Sequence, residues 1–401
     1  MQGQSEGPLR GLRILDISTV VAAPWSATLL ADLGASVLKV EMPVRGDQLR
    51  ALAPHKDGIP LWWKVTNRNK KGVTLDLRKD EGKVLFERLL PHYDVLVENF
   101  RPGALDGWGL TKERLFALQP KLTILRVTGF GQTGPYKDKP AFARVAEAMS
   151  GFTYICGEAD RPPLHMGFPL ADAVTGLFGA VGILGALYQR LREPDSPGQE
   201  IDVNLVESTF RMLDFLPIEH DQLGVVRERT GNLSGYSAPS NIYRSKDGVW
   251  ITIPASSQAI FERLCRAIGQ ADLAHDPRFK TNPDRLQSRG LDQIISSAIS
   301  ERAGDELGPL LDQHEVGWSA VYSIADIFAD PHFKARQMIV DVDDLELGPI
   351  KMQNVVPRYS HSPGRIISTG PALGEHNQEI FGGQLELSDE ELDRLKAARV
   401  I

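Results

Sequence analysis

The chain has 401 residues, 42% of them hydrophobic and 24% charged, ordinary globular proportions that exclude disordered, collagen-like and coiled-coil classes. Forty-five basic against 52 acidic residues leave a formal net charge of −7, so no basic excess exists to neutralise a nucleic-acid backbone. An anionic ligand must therefore be met by local positive charge, and the length predicts two domains or one elaborate α/β body.

Taken in chain order, the first half alternates strand and helix. Leu12-Arg-Ile-Leu-Asp-Ile17 is a β-type run, followed by a helix from Pro24 to Leu33 that Gly34 closes, and by a strand Ser36–Glu41. A strand Gly72–Leu77, a helix from about Glu81 to Leu90, a strand Asp94–Glu98, a helix near 112–118 and a strand Thr123–Thr128 continue the series. Such strand–helix–strand units build parallel crossovers, so an α/β fold with an open, mostly parallel sheet is expected. Beyond Gly151, Ala173 to Leu191 reads as a long, nearly apolar helix buried on most faces. Residues 199–203 resume a strand, and 205–224 read as helical. Residues 230–240, rich in Gly, Ser, Asn and Pro, read as a linker. Residues 242–253 then read as a hairpin turning at Asp247-Gly248, with helices near 258–268 and 291–300 after it. The expected organisation is a large domain over 1–225, a smaller α+β domain over 226–325, and a return to the large domain over 326–401. The last part carries a strand at Val355–Tyr359 and a terminal helix near 388–398.

The two cysteines, Cys156 and Cys265, lie far apart and form no CxxC or Cys/His cluster, so neither a disulfide framework nor structural zinc is expected. The nine histidines show no HxxxH or HExxH spacing, which predicts no metal. The first seven residues have neither a basic nor an apolar leader region. The longest apolar run, Leu177 to Tyr188, is about a dozen residues, short of the roughly 20 that span a bilayer. A cytoplasmic protein without membrane attachment is expected.

Gly129-Phe-Gly131-Gln-Thr-Gly134 matches GxGxxG after a strand, but Pro135-Tyr-Lys-Asp-Lys-Pro140 follows where a dinucleotide site needs a helix. A nicotinamide cofactor is therefore not expected, and the glycines read as a tight loop. Asp172 stands at the mouth of the apolar helix, where it reads as a first-turn acid, as a nucleophilic carboxylate, or as both. Lys64, Arg68, Lys70 and Lys71, with Asn67 and Asn69 between them, read by themselves as a solvated turn. Asn99, Phe100 and Arg101 end a strand, on the edge where open α/β sheets form their ligand crevice.

Several segments in this order resemble the class III CoA-transferases, the formyl-CoA transferase/carnitine CoA-transferase (CaiB/BaiF) family. They are Gly11-Leu-Arg-Ile-Leu-Asp-Ile17, Ala23-Pro24, Leu33-Gly-Ala35, Lys39-Val-Glu41, Asn67-Arg-Asn-Lys-Lys-Gly72, Val97-Glu-Asn-Phe-Arg-Pro-Gly103, Gly129–Pro135, Pro169-Leu-Ala-Asp172-Ala-Val-Thr-Gly176 and Gly370–His376. The resemblance implies a Rossmann-like large domain, a small domain and an interlocked homodimer. It implies transfer of CoA from an acyl-CoA to a free carboxylic acid, with coenzyme A as substrate and neither metal nor nicotinamide. By position, Asp172 is the implied nucleophile, acting through aspartyl anhydride and aspartyl-CoA thioester intermediates. The implied CoA-binding positions are Val20, Val21 and Ala22; Asn69, Lys70 and Lys71; and Asn99, Phe100 and Arg101.

The chain departs from formyl-CoA transferase at three places. One phosphate-side arginine falls on Met42, with Arg45 close by; another falls on Gly107; and the glycine-rich active-site loop aligns near Ala255-Ser-Ser-Gln258, which lacks glycine. The Asn-Arg-Asn-Lys-Lys segment resembles the succinyl-CoA:dicarboxylate branch, so a dicarboxylic acceptor is expected. An α-methylacyl-CoA racemase of the same fold is the alternative. Ala141-Phe-Ala-Arg144 lacks the histidine that racemases carry there. A non-catalytic CoA-binding protein is the remote alternative.

Overall fold

A computed structural model describes residues 7–288 and 290–401. The chain divides into two compact units, the first made of residues up to Phe152, His165–Ile218 and Ala335–Ile401, the second of Thr153–Leu164 and Glu219–Lys334. The second unit thus extends past the expected 226–325 at both ends and takes in an earlier segment.

The first unit is built on six strands: β1 (Arg13–Asp16), β2 (Ser36–Glu41), β3 (Lys70–Thr74), β4 (Val95–Glu98), β5 (Thr123–Thr128) and β6 (Gln199–Asn204). Their order is β3-β2-β1-β4-β5-β6, and every neighbouring pair is parallel. This is the Rossmann order, with its direction of winding reversing between β1 and β4. The strand expected at Gly72–Leu77 lies instead at Lys70–Thr74, because its register follows β2 from Val37↔Lys70 to Glu41↔Thr74.

The helices that position the site are α1 (Ala22–Asp32), α2 (Asp80–Leu89), α3 (Ala143–Met149), α4 (Leu170–Arg192), α5 (Leu205–Arg211) and the terminal α6 (Asp389–Ala397). Side chains alternate across the strands, so each strand feeds two cores. Leu15, Leu38, Leu96 and Ile124 pack with Phe86 and Leu89 of α2 and Leu392 and Leu395 of α6. Ile14, Val37, Val95 and Leu125 pack with Ala23, Ala27 and Leu30 of α1 and Ala180 and Ile183 of α4.

Glycines set the approach of α4 to α1. A Cβ on Gly179 would lie 2.3 Å from Ser26 Oγ and 2.9 Å from Leu125 Cδ2, and one on Gly176 would lie 3.0 Å from the Ala22 carbonyl oxygen. The expected burial of α4 leaves one face uncovered. Leu177, Val181, Leu184 and Tyr188 are 52%, 63%, 37% and 62% exposed and recur at helical spacing. The helix is long and apolar enough by composition to cross a membrane, yet more than half of its apolar window is buried against its own unit. A core helix with one uncovered face explains both facts.

The edge strand β3 is sealed by chain from far along the sequence. Asn69 N–H donates to the Ser368 carbonyl, Gly72 N–H to His376 Nδ1 and Thr74 N–H to Asn377 Oδ1, and His376 N–H returns to the Gly72 carbonyl. The strand expected at Val355–Tyr359 is absent; the local ladder is instead the antiparallel pair Ile339–Asp344 and Gly348–Gln353. Pro357 has no N–H to give a ladder, which disfavours strand there.

In the second unit, strands Ser240–Arg244 and Trp250–Pro254 form the expected hairpin, joined by the short strand Ser319–Ala320. Its core gathers Tyr243, Ile251, Ile253, Phe261, Leu264, Ile295 and Leu307. Within Ala255–Gln258, Ser257 caps the helix Gln258–Ala267 and the Ser256 carbonyl accepts from Arg285 Nη2 at 2.8 Å.

Candidate functional site

The carboxyl ends of β1 and β4 flank the point where the winding reverses, and two short loops leave there. Residues 17–21 follow β1. Asn99 Oδ1 accepts the Thr19 N–H at 2.8 Å while Asn99 Nδ2 donates to the Thr19 carbonyl at 2.7 Å, so the two loops are laced together across the crevice. Asp47 Oδ1 accepts the Val20 N–H at 2.9 Å. Val20 itself has φ +69°, a left-handed conformation that a β-branched residue adopts only when its surroundings impose it. The turn delivers Val21 and Ala22 into the start of α1, whose first amides have no side-chain cap. Such a helix start is a ready anion site.

Beneath this loop lies a buried charge network. Asp16, Lys39 and Lys70 point to the same face of three adjacent strands. Lys70 Nζ donates to Asp16 Oδ2 at 2.8 Å, to the Pro24 carbonyl at 2.8 Å and to Asn67 Oδ1 at 3.0 Å. Lys39 Nζ lies 3.7 Å from Asp16 Oδ1 and 3.2 Å from Asp47 Oδ2, and it donates to the Ser18 carbonyl. Glu41 takes Arg50 through two bonds of 2.7 and 2.8 Å and accepts the Asp47 N–H. Arg50 in turn stacks 3.7 Å over Trp63. Burial pushes the Asp16 carboxyl up, but Lys39 and Lys70 outweigh it and hold it below its ordinary value. Burial and the Lys39 charge bring the Lys70 ammonium down to about 8 against the pull of Asp16. The network balances three cations against three carboxylates, and its work is to hold the loop.

On the β4 side, Glu98 Oε2 accepts the Phe100 N–H at 2.7 Å, and Arg126 Nη1 donates to Glu98 Oε1 at 3.1 Å. Burial drives the Glu98 carboxyl up to about 7 despite Arg126. Phe100 stands edge-on to Trp108 with ring centroids 5.0 Å apart. The two rings wall a slot of about 60 Å³ whose other sides include Ile17, Met42, Leu75, Leu77 and Arg78. Arg101, next in the chain to Phe100, is exposed. The slot is walled mainly by apolar side chains, with Arg78, which Asp76 holds through two bonds of 2.8 Å, on one side.

Of the expected positions, the structure brings Val20, Val21, Ala22, Asn99, Phe100 and Arg101 to this crevice. Asn69 and Lys71 are not brought there, because they begin β3 at the opposite edge of the sheet, whereas Lys70 sends its ammonium under the loop to Asp16 and the Pro24 carbonyl. Asn69 Nδ2 holds Asp32 Oδ1 and the Arg365 carbonyl, both at 2.9 Å, and Lys71 pairs with Glu379. Nor is the basic stretch a solvated turn. Lys64, Arg68 and Lys70 are all buried, with Lys64 on Asp344 and Arg68 on Asp32. Sequence reading missed Leu75, Leu77 and Arg78; the rule that ligands gather at the carboxyl ends of strands, applied to the far end of β3, would have found them. Arg45, close to Met42, is exposed, and Gly107 lies in open space.

Asp172 is the third residue of α4, a first-turn acid as expected, with Pro169 as the uncapped residue before the helix. Burial first, and the charge of Glu147 second, push its carboxyl up to about 7. Gly176, one turn on, meets Ala22 and Trp25 at the start of α1, and Gly179 meets Ser26. The two helices therefore begin side by side, and both N-termini open on the same edge of the sheet. After β5, the GxGxxG segment forms a loop without a helix. Gly131 N–H donates to Thr128 Oγ1 at 2.8 Å and Gln132 N–H to Asp202 Oδ2 at 2.8 Å, and the next helix starts only at Ala143. Among the described residues no group of three or more His, Cys, Asp or Glu side chains could hold a metal ion.

A Rossmann-ordered sheet with a crevice at its carboxyl edge, an apolar slot and a half-buried acid at the start of α4 is the arrangement of an α/β enzyme acting on a small ligand. Residues 9–377 match the model of CoA-transferase family III, and the chain belongs to that family. It is 46% identical over 396 residues, 98% of both chains, to the succinyl-CoA–D-citramalate CoA-transferase of Chloroflexus aurantiacus. It is 41% identical over 399 residues, again 98% of both, to the succinyl-CoA–L-malate CoA-transferase beta subunit of the same organism. A solved CaiB/BaiF family protein from Brucella suis superposes with a TM-score of 0.83 at 33% identity, covering 95% of this chain and 100% of that one. The protein is a class III CoA-transferase and uses CoA thioesters as substrates.

Proposed function

We propose that the protein moves CoA from succinyl-CoA to a hydroxylated dicarboxylic acid of the citramalate or malate kind, with Asp172 as the nucleophile. The full-length likeness to two transferases with these substrates in their names supports the substrate class. The observation that carries the mechanism is Asp172 itself, a carboxylate at a helix start, desolvated and basic, beside the crevice. Val20, Val21 and Ala22 receive the pantetheine and phosphate side of CoA, while Phe100, Arg101 and Arg78 receive the nucleotide.

In the first step an Asp172 oxygen attacks the donor thioester carbon, the C–S bond breaks, and CoA departs as a thiolate from an acyl–aspartyl anhydride. The thiolate then attacks the Asp172 carbonyl carbon, expelling the free donor acid and leaving an aspartyl-CoA thioester. The acceptor carboxylate repeats both steps in reverse order and regenerates the Asp172 carboxylate, so no net proton or electron is consumed. The amides at the starts of α1 and α4 favour the thiolate and carboxylate leaving groups. Positioning in a dry crevice keeps water from the anhydride.

The same reading makes the protein an interlocked homodimer. The stripe Leu177, Val181, Leu184 and Tyr188 is the apolar face that a second copy would cover. The test incubates the protein with succinyl-CoA, traps with hydroxylamine and locates the adduct by peptide mass. Modification of Asp172, and loss of transferase activity in Asp172→Ala with malate or citramalate as acceptor, are expected. An unmodified Asp172 with an active Asp172→Ala refutes the mechanism. Loss of an α-proton to solvent without acid exchange would mark a racemase instead.

A further inference from the structure

Glu147 is 2% exposed, on α3, and nothing in the sequence singled it out. Its Oε1 accepts the Ala171 N–H at 3.2 Å, and its Oε2 faces His165 Nδ1 at 3.3 Å. Ala171 is the second residue of α4 and its amide is one of the orphan donors of a helix start; Pro169 gives it no cap. An acid 24 residues earlier in the chain does the capping instead. The same carboxyl therefore grips both the start of α4 and the segment leading into it, and Asp172 is the next residue along.

Capping alone would be served as well by a neutral acceptor. A second buried carboxyl is a costly choice unless its charge is used, since burial strips it of water. Here the carboxyl that holds the Ala171 amide sits one residue along the helix start from Asp172, and its charge adds to the burial that pushes the Asp172 carboxyl up. The other charged groups on elements packed against α4 have different partners or face solvent. Asp32 of α1 is paired with Arg68, Arg126 of β5 with Glu98 and Glu200, and Asp202 of β6 holds the Gln132 amide. Arg144 of α3 and Glu207 and Arg211 of α5 are exposed, and His165 on the approaching segment is the group that meets Glu147.

We propose that Glu147 is a positioning residue for Asp172, which fixes the start of α4 through Ala171 and, by its charge, makes the Asp172 carboxylate a stronger nucleophile toward an acyl carbon. The inference rests on the reading of Asp172 as nucleophile. A carboxylate facing a like charge is less stable and more basic. Attack on the thioester removes that repulsion, because the acylated Asp172 is neutral, so the like charge favours the forward step. His165 on the far oxygen of Glu147 limits how much of the charge Asp172 feels.

The experiment measures the rate at which Asp172 is acylated by succinyl-CoA, by hydroxylamine trapping and peptide mass, between pH 5 and 9 in wild type and Glu147→Gln. Glutamine keeps an acceptor for Ala171 and a donor toward His165, so a urea midpoint no lower than that of wild type is the control for folding. The expected result is an acid limb moved down by about one pH unit, with a plateau rate several-fold lower. Glu147→Ala, which loses the cap as well, is expected to lose more than tenfold in rate and to melt earlier. A Glu147→Gln profile that coincides with wild type in midpoint and plateau overturns the proposal and leaves the Asp172 reading intact. Absence of any label on wild-type Asp172 refutes the parent reading instead.

Discussion

Replacing Asp172 with asparagine is expected to stabilise the protein while abolishing transfer. The carboxyl has an ordinary value of 3.8 and is raised to about 7 in the fold, chiefly by burial and then by Glu147. Between those values the folded state binds a proton that the unfolded state has released, so stability falls as pH rises through this window. About three units at 1.36 kcal/mol each set a ceiling of about 4 kcal/mol; partial exposure of the side chain to water brings the expected gain to about 1–3 kcal/mol. Asparagine is nearly isosteric and carries no charge to desolvate. At pH 4 the variant and wild type should unfold at nearly the same urea concentration. The gap should open between pH 4 and 7 and stay constant above pH 8, with equal m-values throughout. An Asp172→Asn protein no more stable than wild type at pH 8 would show that the carboxyl is not held in an unfavourable ionised state, and the assignment of nucleophilic strain would fall with it.

Three further outcomes follow from the packing. Lys70→Met leaves Asp16 with half of its buried ion pairing and should cost about 3–5 kcal/mol in urea unfolding, with weaker CoA binding because the 17–21 loop loses its support. Gly179→Val drives side-chain atoms into Ser26 and Leu125 and should cost about 1–3 kcal/mol or more, read as a lower urea midpoint. Val181→Glu places a charge on the exposed stripe of α4 and should shift the proposed dimer toward monomer in sedimentation, a shift that Glu147→Gln should not produce.

The middle of the sheet was largely legible, because β2, β4 and β5 are buried along nearly their whole length and rich in Val, Ile and Leu. Ser36–Glu41 and Thr123–Thr128 fall where the runs predict. What failed has physical causes. Lys70 and Lys39 look like solvent residues by type; only the register of β1, β2 and β3 shows that they meet Asp16 inside the sheet face. Asn69 and Lys71 lie away from the crevice for a reason of direction, since β3 begins there and ligands gather where strands end. Asp172 was visible from its place before an apolar helix. Glu147 was not, because its capping bond spans separate helices and leaves no local spacing to read.

The seal on β3 has a consequence for synthesis. The groups that close that edge lie 298 to 304 residues downstream of the strand they cover. At about 5–20 residues per second, a ribosome needs roughly 15–60 s to supply them. Through that interval the nascent sheet exposes the unpaired N–H and C=O groups of β3, the kind of edge on which chains aggregate. Closure of this sheet edge is therefore tied to synthesis of residues 367–377, and a nascent-chain chaperone would have a long task at the β3 edge.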